Sequence, residues 1–407
     1  MKIAKVVPQT RLPRGTNFFD YKVPDSLQNL KPGSFVKIPL RRQILSGIVF
    51  EIFETQVQPT YELKEIVEIT ENSLSANLLK LVRLSAEDIF VSPSIIIQAV
   101  VAEQPAKKQP SRKILAPPAL IPLKFKPEQI EPLVRSFKEI QSTSGSILCH
   151  CPGDKEKKAL IYKVIEAGLK EKKKIILISP TINQVNEWLG LLTPLAPESM
   201  SVLHGGQNKN THWQNWQNIE QNIAQLVIGT RQAIFAPFGR VDEIIFDEAE
   251  NDDLKQSDQN PRFDSRDVAL NRAQIDSAKV IFFSQTPQIS TYYLTESNPP
   301  QLKYISLPAQ PLTSVKVLNL KDVETEIDFR LSRELLETTR ECLLTNQRVF
   351  LLINQKGLAS TLSCSDCFHA FICPHCRVTL AQEKDYLNCR LCQYQEPTPG
   401  FCPKCHG

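Results

Sequence analysis

No stretch of the chain holds the roughly 18 consecutive apolar residues that a helical membrane span needs. The opening, MKIAKVVPQT, lacks the apolar segment of a secretory signal, so the expected address is a bacterial-type cytoplasm, where thiols stay reduced. A strong charge of either sign is missing too: 48 Lys+Arg stand against 44 Asp+Glu, and a formal net charge of +4 does not argue for nucleic acid by itself. No internal repeat is visible in the α/β portion, which excludes a solenoid there. What remains is ordinary for a globular protein, with 42% apolar and 23% charged residues over 407, enough for two to four domains. The charge is unevenly spread. Residues 101–175 carry 16 Lys+Arg and 8 Asp+Glu, a local +8 that can attract phosphate backbones while the rest of the chain is at −4.

The pattern changes along the chain. Residues 1–104 read as a small β-rich domain: FFDYKVP, SFVKIPL and SGIVFEIFE are short strand-like runs between Pro, Gly and Asn turns, followed by helical spacing from Leu74 to Ala86. Residues 105–125, rich in Pro and Lys, read as an extended linker. From 126 to 330, apolar strands (KIILISP, SVLHGG, AQLVIGT, VDEIIFDEAE, AKVIFFSQTP) alternate with helical patterns, the signature of a parallel sheet with crossover helices. Ligands of such sheets sit beyond the carboxyl ends of the strands, where ISPT, HGG, IGTR, DEAE and SQTP gather. Residues 331–362 begin another helix–strand pair, LSRELLETTRECL and RVFLLINQKG, and 363–407 form a cysteine module.

Eight of the 11 cysteines fall in that module, spaced Cys364-x2-Cys367-x5-Cys373-x2-Cys376-x12-Cys389-x2-Cys392-x9-Cys402-x2-Cys405. Each C-x-x-C puts two thiolates on one knuckle, and two knuckles complete a tetrahedral zinc–thiolate site with no open position. Two structural zinc ions per chain are expected. The x12 gap lets Cys373 and Cys376 close a hairpin with Cys389 and Cys392, leaving Cys364, Cys367, Cys402 and Cys405 for the other ion. His369, His375 and His406 then stand by as bystanders.

The segment CHCPGDKEKKALIYKVIEA, 149–167, has the layout of a phosphate-binding loop: an apolar strand, a small loop with lysines, then a helix. It has one glycine, Gly153, where G-x-x-x-x-G-K-[ST] needs two.

Taken together, the chain resembles primosomal protein N′ (PriA), the bacterial replication-restart helicase family. FFDYKVP, GSFVKIPL and ELKEIVEI resemble its 3′-end-binding amino-terminal domain. KPEQ, SVLHGG, LVIGTRQAIFAPF and IIFDEAENDDLKQSDQNPRFDSRDVALNRA resemble its first, RecA-like helicase lobe. INQKG and the four Cys pairs resemble the start of its second lobe with the zinc module inserted. The resemblance implies that Phe19, Asp20, Tyr21 and Lys64 contact a DNA 3′ end, with Asp20 on the edge of the terminal base. Arg41 takes the place of a family glycine. Aligning Tyr162 with the family tyrosine puts Lys158 at the Walker lysine, Ala159 where a hydroxyl should hold Mg²⁺, and Lys155 and Lys157 at glycine positions. Asp247 and Glu248 match the acids that hold Mg²⁺ and position water, whereas Glu250 replaces a histidine. The family's winged helix, and most of the second lobe with its arginine, have no counterpart in these residues.

The expected fold is therefore α/β: a β-rich DNA-binding domain, one degenerate RecA-like lobe and a two-zinc module. The expected function is a replication-restart factor that holds branched or 3′-ended DNA without helicase activity, with Mg-ATP binding lost. Arg231, Lys255 and Arg262 are candidates for phosphate contacts. Primosome proteins and single-strand DNA-binding protein are the partners the resemblance implies. Two other readings stay open: a residual DNA-stimulated ATPase or 3′–5′ helicase completed by a separate second lobe, and a zinc scaffold without a DNA role.

Overall fold

The computed structural model describes the chain apart from residues 11, 13–15, 57–61, 103–126, 309–314, 320–324, 327–330, 353–360, 384 and 390–391. It divides into two compact units, Met1–Leu312 and Thr313–Gly407.

The first unit opens with an antiparallel sheet of β1 (Lys2–Pro8), β2 (Phe19–Lys22), β3 (Ser34–Leu40), β4 (Gln43–Glu54) and β5 (Glu68–Ser73), in the order β2-β1-β4-β3-β5. Residues two apart, such as Ala4 and Val6 or Val36 and Ile38, turn the same way and fill one core. The two edges meet, since Lys22 N–H donates to Lys64 O at 2.9 Å and Ile66 N–H to Lys22 O at 3.2 Å. The sheet thus curls into a nearly closed barrel with little free edge. Gly33, at φ 93°, lets the chain pass Leu74, because a Cβ there would lie 2.0 Å from the Leu74 carbonyl oxygen.

Helices α1 (Ala76–Asp88) and α2 (Pro93–Val100) follow. Ser75 caps α1 by accepting from Leu78 N–H, and Leu78, Leu79, Leu81 and Val82 form its buried stripe. These helices seat the barrel on the next layer: Asn77 donates to Asp276 at 2.8 Å, and Trp216 Nε1 donates to Val100 O at 2.9 Å. The expected linker, 105–125, lies outside the described residues.

The α/β layer comprises α3 (Pro127–Ser142), β6 (Ile147–His150), α4 (Asp154–Lys170), β7 (Ile175–Ile178), α5 (Ile182–Leu192), β8 (Met200–Leu203) and α6 (Lys209–Glu220), then β9 (Leu226–Gly229), β10 (Glu243–Phe246), α7 (Ser265–Asp276), β11 (Lys279–Ser284), α8 (Ile289–Glu296) and β12 (Lys303–Ser306). Its seven strands are all parallel in the order β12-β6-β11-β10-β7-β9-β8. Helices cover both faces, so strands such as β7 are buried along their whole length. Because the strands are parallel, Cys151, Asp247, Ser179, Thr230 and Ser284 follow or close them at one edge. This is the parallel sheet with crossover helices expected from the alternation.

The second unit contains β13 (Thr325–Glu326), β14 (Leu331–Ser332), α9 (Arg333–Leu344) and an antiparallel set of β15 (Ala381–Glu383), β16 (Tyr386–Asn388) and β17 (Gln395–Pro397). One expectation fails here. The run RVFLL, read as a strand, has no regular structure, and Phe350 and Leu352 are 99% and 95% exposed. A strand persists only against a partner ladder, and among the described residues none runs beside this segment. INQKG lies outside the described residues.

Candidate functional sites

The cysteines come together as two sets of four, Cys364/Cys367/Cys402/Cys405 and Cys373/Cys376/Cys389/Cys392, each with its sulfurs within 4.8 Å of one another. This is the pairing the spacing suggested. Four near-identical turns build them. In each, the backbone N–H after the second cysteine returns to the carbonyl of the first: Phe368 to Cys364 at 3.0 Å, and Arg377 to Cys373, Gln393 to Cys389 and His406 to Cys402 at 2.9 Å. Those four residues share a left-handed φ of 57° to 61°. Sulfur separations of 3.5 Å (Cys364–Cys405) and 3.6 Å (Cys367–Cys402, Cys373–Cys392) match the edge of a tetrahedral thiolate site, about 3.8 Å for metal–sulfur bonds of about 2.3 Å. The donor set thus fits a soft divalent ion with a closed shell. His369 and His375 instead meet Phe371 and Tyr394 edge-to-face, outside both sets.

At the β6–α4 turn the geometry departs from the sequence alignment. Gly153 caps α4 at φ −97°, so its left-handed freedom is unused. The Glu156 carboxylate folds back over it, with an oxygen 2.0 Å from where a Cβ would stand. Asp154 and Glu156 thus place two carboxylates in the first turn, where phosphate would meet the helix N-terminus. The lysine that enters the site is Lys157, not Lys158. Lys157 is fully buried, and its Nζ lies 2.7 Å from Asp247 Oδ1, 3.3 Å from Asp154 and 3.8 Å from Glu248. Lys158 points sideways to Asp154 at 3.1 Å and Glu187 at 2.7 Å. Burial pulls the Lys157 pKa down, but Asp247, Asp154 and Glu248 outweigh it and hold the ammonium charged above its ordinary value. Asp247 is also buried, and its second oxygen accepts from Trp188 Nε1 at 2.7 Å. Both oxygens are therefore engaged, one by an ammonium and one by an indole.

The neighbouring acids are tied as well. Glu248, at φ 51°, accepts from Asn251 at 3.2 Å. Glu250 accepts from Gln285 N–H at 3.1 Å and so joins the DEAE and SQTP strand ends. The second Glu250 oxygen, Oε2, is buried without a hydrogen-bond partner among the described residues.

In the barrel, the expected 3′-end residues separate. Tyr21 is 3% exposed and belongs to the barrel core, its hydroxyl donating to Pro39 O at 3.3 Å, so it offers no face to a base. Phe19 instead lines a cavity of about 560 Å³ with Leu40, Arg41, Arg42 and Leu45. Asp20 pairs opposite Lys5 in the ladder and does not line that cavity. Lys64 donates to the Arg41 carbonyl at 3.3 Å, at the cavity rim. Arg42, which the sequence did not single out, also lines the cavity.

On the lobe, Gln256 draws the three expected cations around one loop. It accepts from Arg231 Nε at 3.1 Å and donates to Pro261 O at 2.8 Å, which leaves its chain neighbour Lys255 and the adjacent Arg262 exposed. Arg266 and Arg272, from the same sequence stretch, are structural: they bind the carbonyls of Ala249 at 2.8 Å and Ala236 at 2.9 Å.

Two imidazoles beside β8 make stability pH-dependent. Burial depresses the pKa of His204 and of His212, the latter also through His204. The folded state then binds fewer protons than the unfolded chain near pH 6.5, so this contribution is full above that value and fades as pH falls below it. Tryptophan-monitored melting should drop between about pH 7.5 and pH 5.5, and His212→Gln should flatten the drop. An unchanged slope in that variant would remove the histidines as its cause.

Residues 6–102 match the family model of the 3′ DNA-binding domain of PriA. The chain is 27% identical over 281 residues to replication restart protein PriA of Bacillus subtilis (strain 168), covering 66% of this chain and 35% of the relative. It is 26% identical to that of Synechocystis over 345 residues (81% and 41%), and 25% identical to that of Rickettsia felis (100% and 62%). The chain thus spans between 35% and 62% of the length of these relatives. Among the described residues no helix is long and apolar enough to cross a membrane. The amino-terminal domain thus belongs to the PriA 3′ DNA-binding family, and the chain is similar to PriA proteins over 66% to 100% of its length.

Proposed function

We propose that the protein is a replication-restart factor of the cytoplasm that holds branched or forked DNA through an exposed 3′ end, without ATP-driven unwinding. The observation that carries this reading is the cationic, aromatic-walled cavity of Phe19, Arg41 and Arg42 inside the domain that matches the 3′ DNA-binding model. Lys255 and Arg262 extend the contact along phosphates, positioning DNA without reading its sequence. ATP hydrolysis is not supported, because Lys157 and Trp188 take both oxygens of Asp247. The cysteine sets hold two zinc ions as closed structural sites, and the module so formed is a docking platform for primosome proteins and single-strand DNA-binding protein.

The test is a salt-titrated binding assay with a fork bearing a free 3′ arm and a blunt duplex of equal length. The fork should bind at least about tenfold more tightly. Phe19→Ala should remove most of that preference, while Lys255→Ala with Arg262→Ala should weaken both ligands alike and reduce the salt slope by roughly two. Equal, weak binding of fork and duplex would refute DNA-end recognition.

A further inference from the structure

The β3–β4 hairpin turns through two residues, Arg41 and Arg42, with Leu40 paired to Gln43. Arg41 stands at φ 57°, a left-handed conformation that is strained for a side-chain-bearing residue and that glycine adopts freely. Arg41 and Arg42 are both exposed, so neither offsets that strain by packing in a core. Both guanidinium-bearing residues line the cavity whose aromatic wall is Phe19; Thr10, Leu40 and Leu45 share the lining, and no carboxylate does. Lys64 adds a third cation at the rim. Two adjacent guanidinium groups without a counter-carboxylate suit a terminal phosphate, which carries close to two negative charges and accepts bidentate hydrogen bonds. A terminal hydroxyl presents no charge to them.

We infer that this cavity prefers a DNA 3′ end bearing a phosphate over one bearing a hydroxyl, with the last base against Phe19 and the phosphate between Arg41 and Arg42. The inference rests on reading the domain as a 3′-end binder and names the chemistry of the end it takes. It makes the protein a reader of blocked termini, such as those left by strand breakage, rather than of ends ready for extension.

The experiment compares single-stranded oligonucleotides of one sequence by fluorescence anisotropy with the full chain. One carries a 3′-phosphate; one of equal charge carries a 5′-phosphate and a 3′-hydroxyl; a closed circle of the same length has no end. The 3′-phosphate should bind about tenfold more tightly than its equal-charge partner, and Arg41→Gly and Arg41→Gln should cut that ratio to below about threefold. Arg41→Gly suits the local backbone, so the folded state is kept. Equal binding of the two linear strands, or a preference for the 3′-hydroxyl, overturns the inference. The 3′-end reading survives that result if both linear strands still outbind the circle in a Phe19-dependent way. It falls as well if the circle binds equally.

Discussion

Chelation of the metal ions should unfold the cysteine module while leaving the first unit intact. Among the described residues the module buries Leu380, Ala381 and Leu387 with Cys373, Cys389 and Cys402, so two leucines carry most of its apolar burial, each contributing about 1.5–3 kcal/mol. Ordering a module of this size costs far more than that. The missing stabilisation must come from metal binding, which in small zinc domains is about 10–16 kcal/mol per site. All three tryptophans, Trp188, Trp213 and Trp216, lie in Met1–Leu312, so they report on that unit alone. The expected result is release of two zinc ions per chain, rapid proteolysis after about residue 360, and unchanged tryptophan emission. Cys392→Ser should lower the bound metal from two ions to one and spare the set built on Cys364. A module that stays protease-resistant after metal removal would show that zinc is not what folds it.

Replacing Lys157 should be the most damaging single change in the α/β lobe. Lys157→Met leaves Asp247 as a buried carboxylate with no cation, a loss of about 3–5 kcal/mol for a broken buried ion pair. Adding Asp247→Asn should restore most of the stability, since the amide oxygen can still accept from Trp188 and no charge is stranded. Lys158→Met, which breaks only partly exposed pairs with Asp154 and Glu187, should cost less than about 1 kcal/mol. Denaturant melts of the four proteins measure this, and Mg-ATP should not shift the wild-type midpoint. If Lys157→Met were silent, or if Mg-ATP stabilised the wild type, the sealed reading of this site would be abandoned.

The contrast between these two lysines shows what could and could not be read from the chain. Matching the loop through Tyr162 favoured Lys158, but α4 has its own phase. Leu160, Ile161, Val164 and Ile165 form its buried face, and stepping back three and four residues from them lands on Lys157. That helical arithmetic was available in the sequence and outweighs a motif with most of its residues gone. Period-two alternation likewise places Phe19 and Tyr21 on the same side of β2, while only the closed barrel decides that Tyr21 is core and Phe19 edges a cavity. The cysteine pairing was legible because four C-x-x-C turns admit few closures. The RVFLL segment was not, because its apolar residues describe a strand only when a neighbour supplies hydrogen bonds. Gln256, which gathers Arg231, Lys255 and Arg262, carries no signal in the chain at all.

The nesting of the two cysteine sets sets an order of assembly. Cys373 and Cys392 enclose a segment about half as long as that between Cys364 and Cys405, and a shorter loop loses less chain entropy on closing, by about 0.6 kcal/mol per halving. Once the inner clasp is shut, the outer pair no longer spans the whole segment but only the two short arms that flank it. The inner set is therefore expected to close first and the outer set to open first on metal removal.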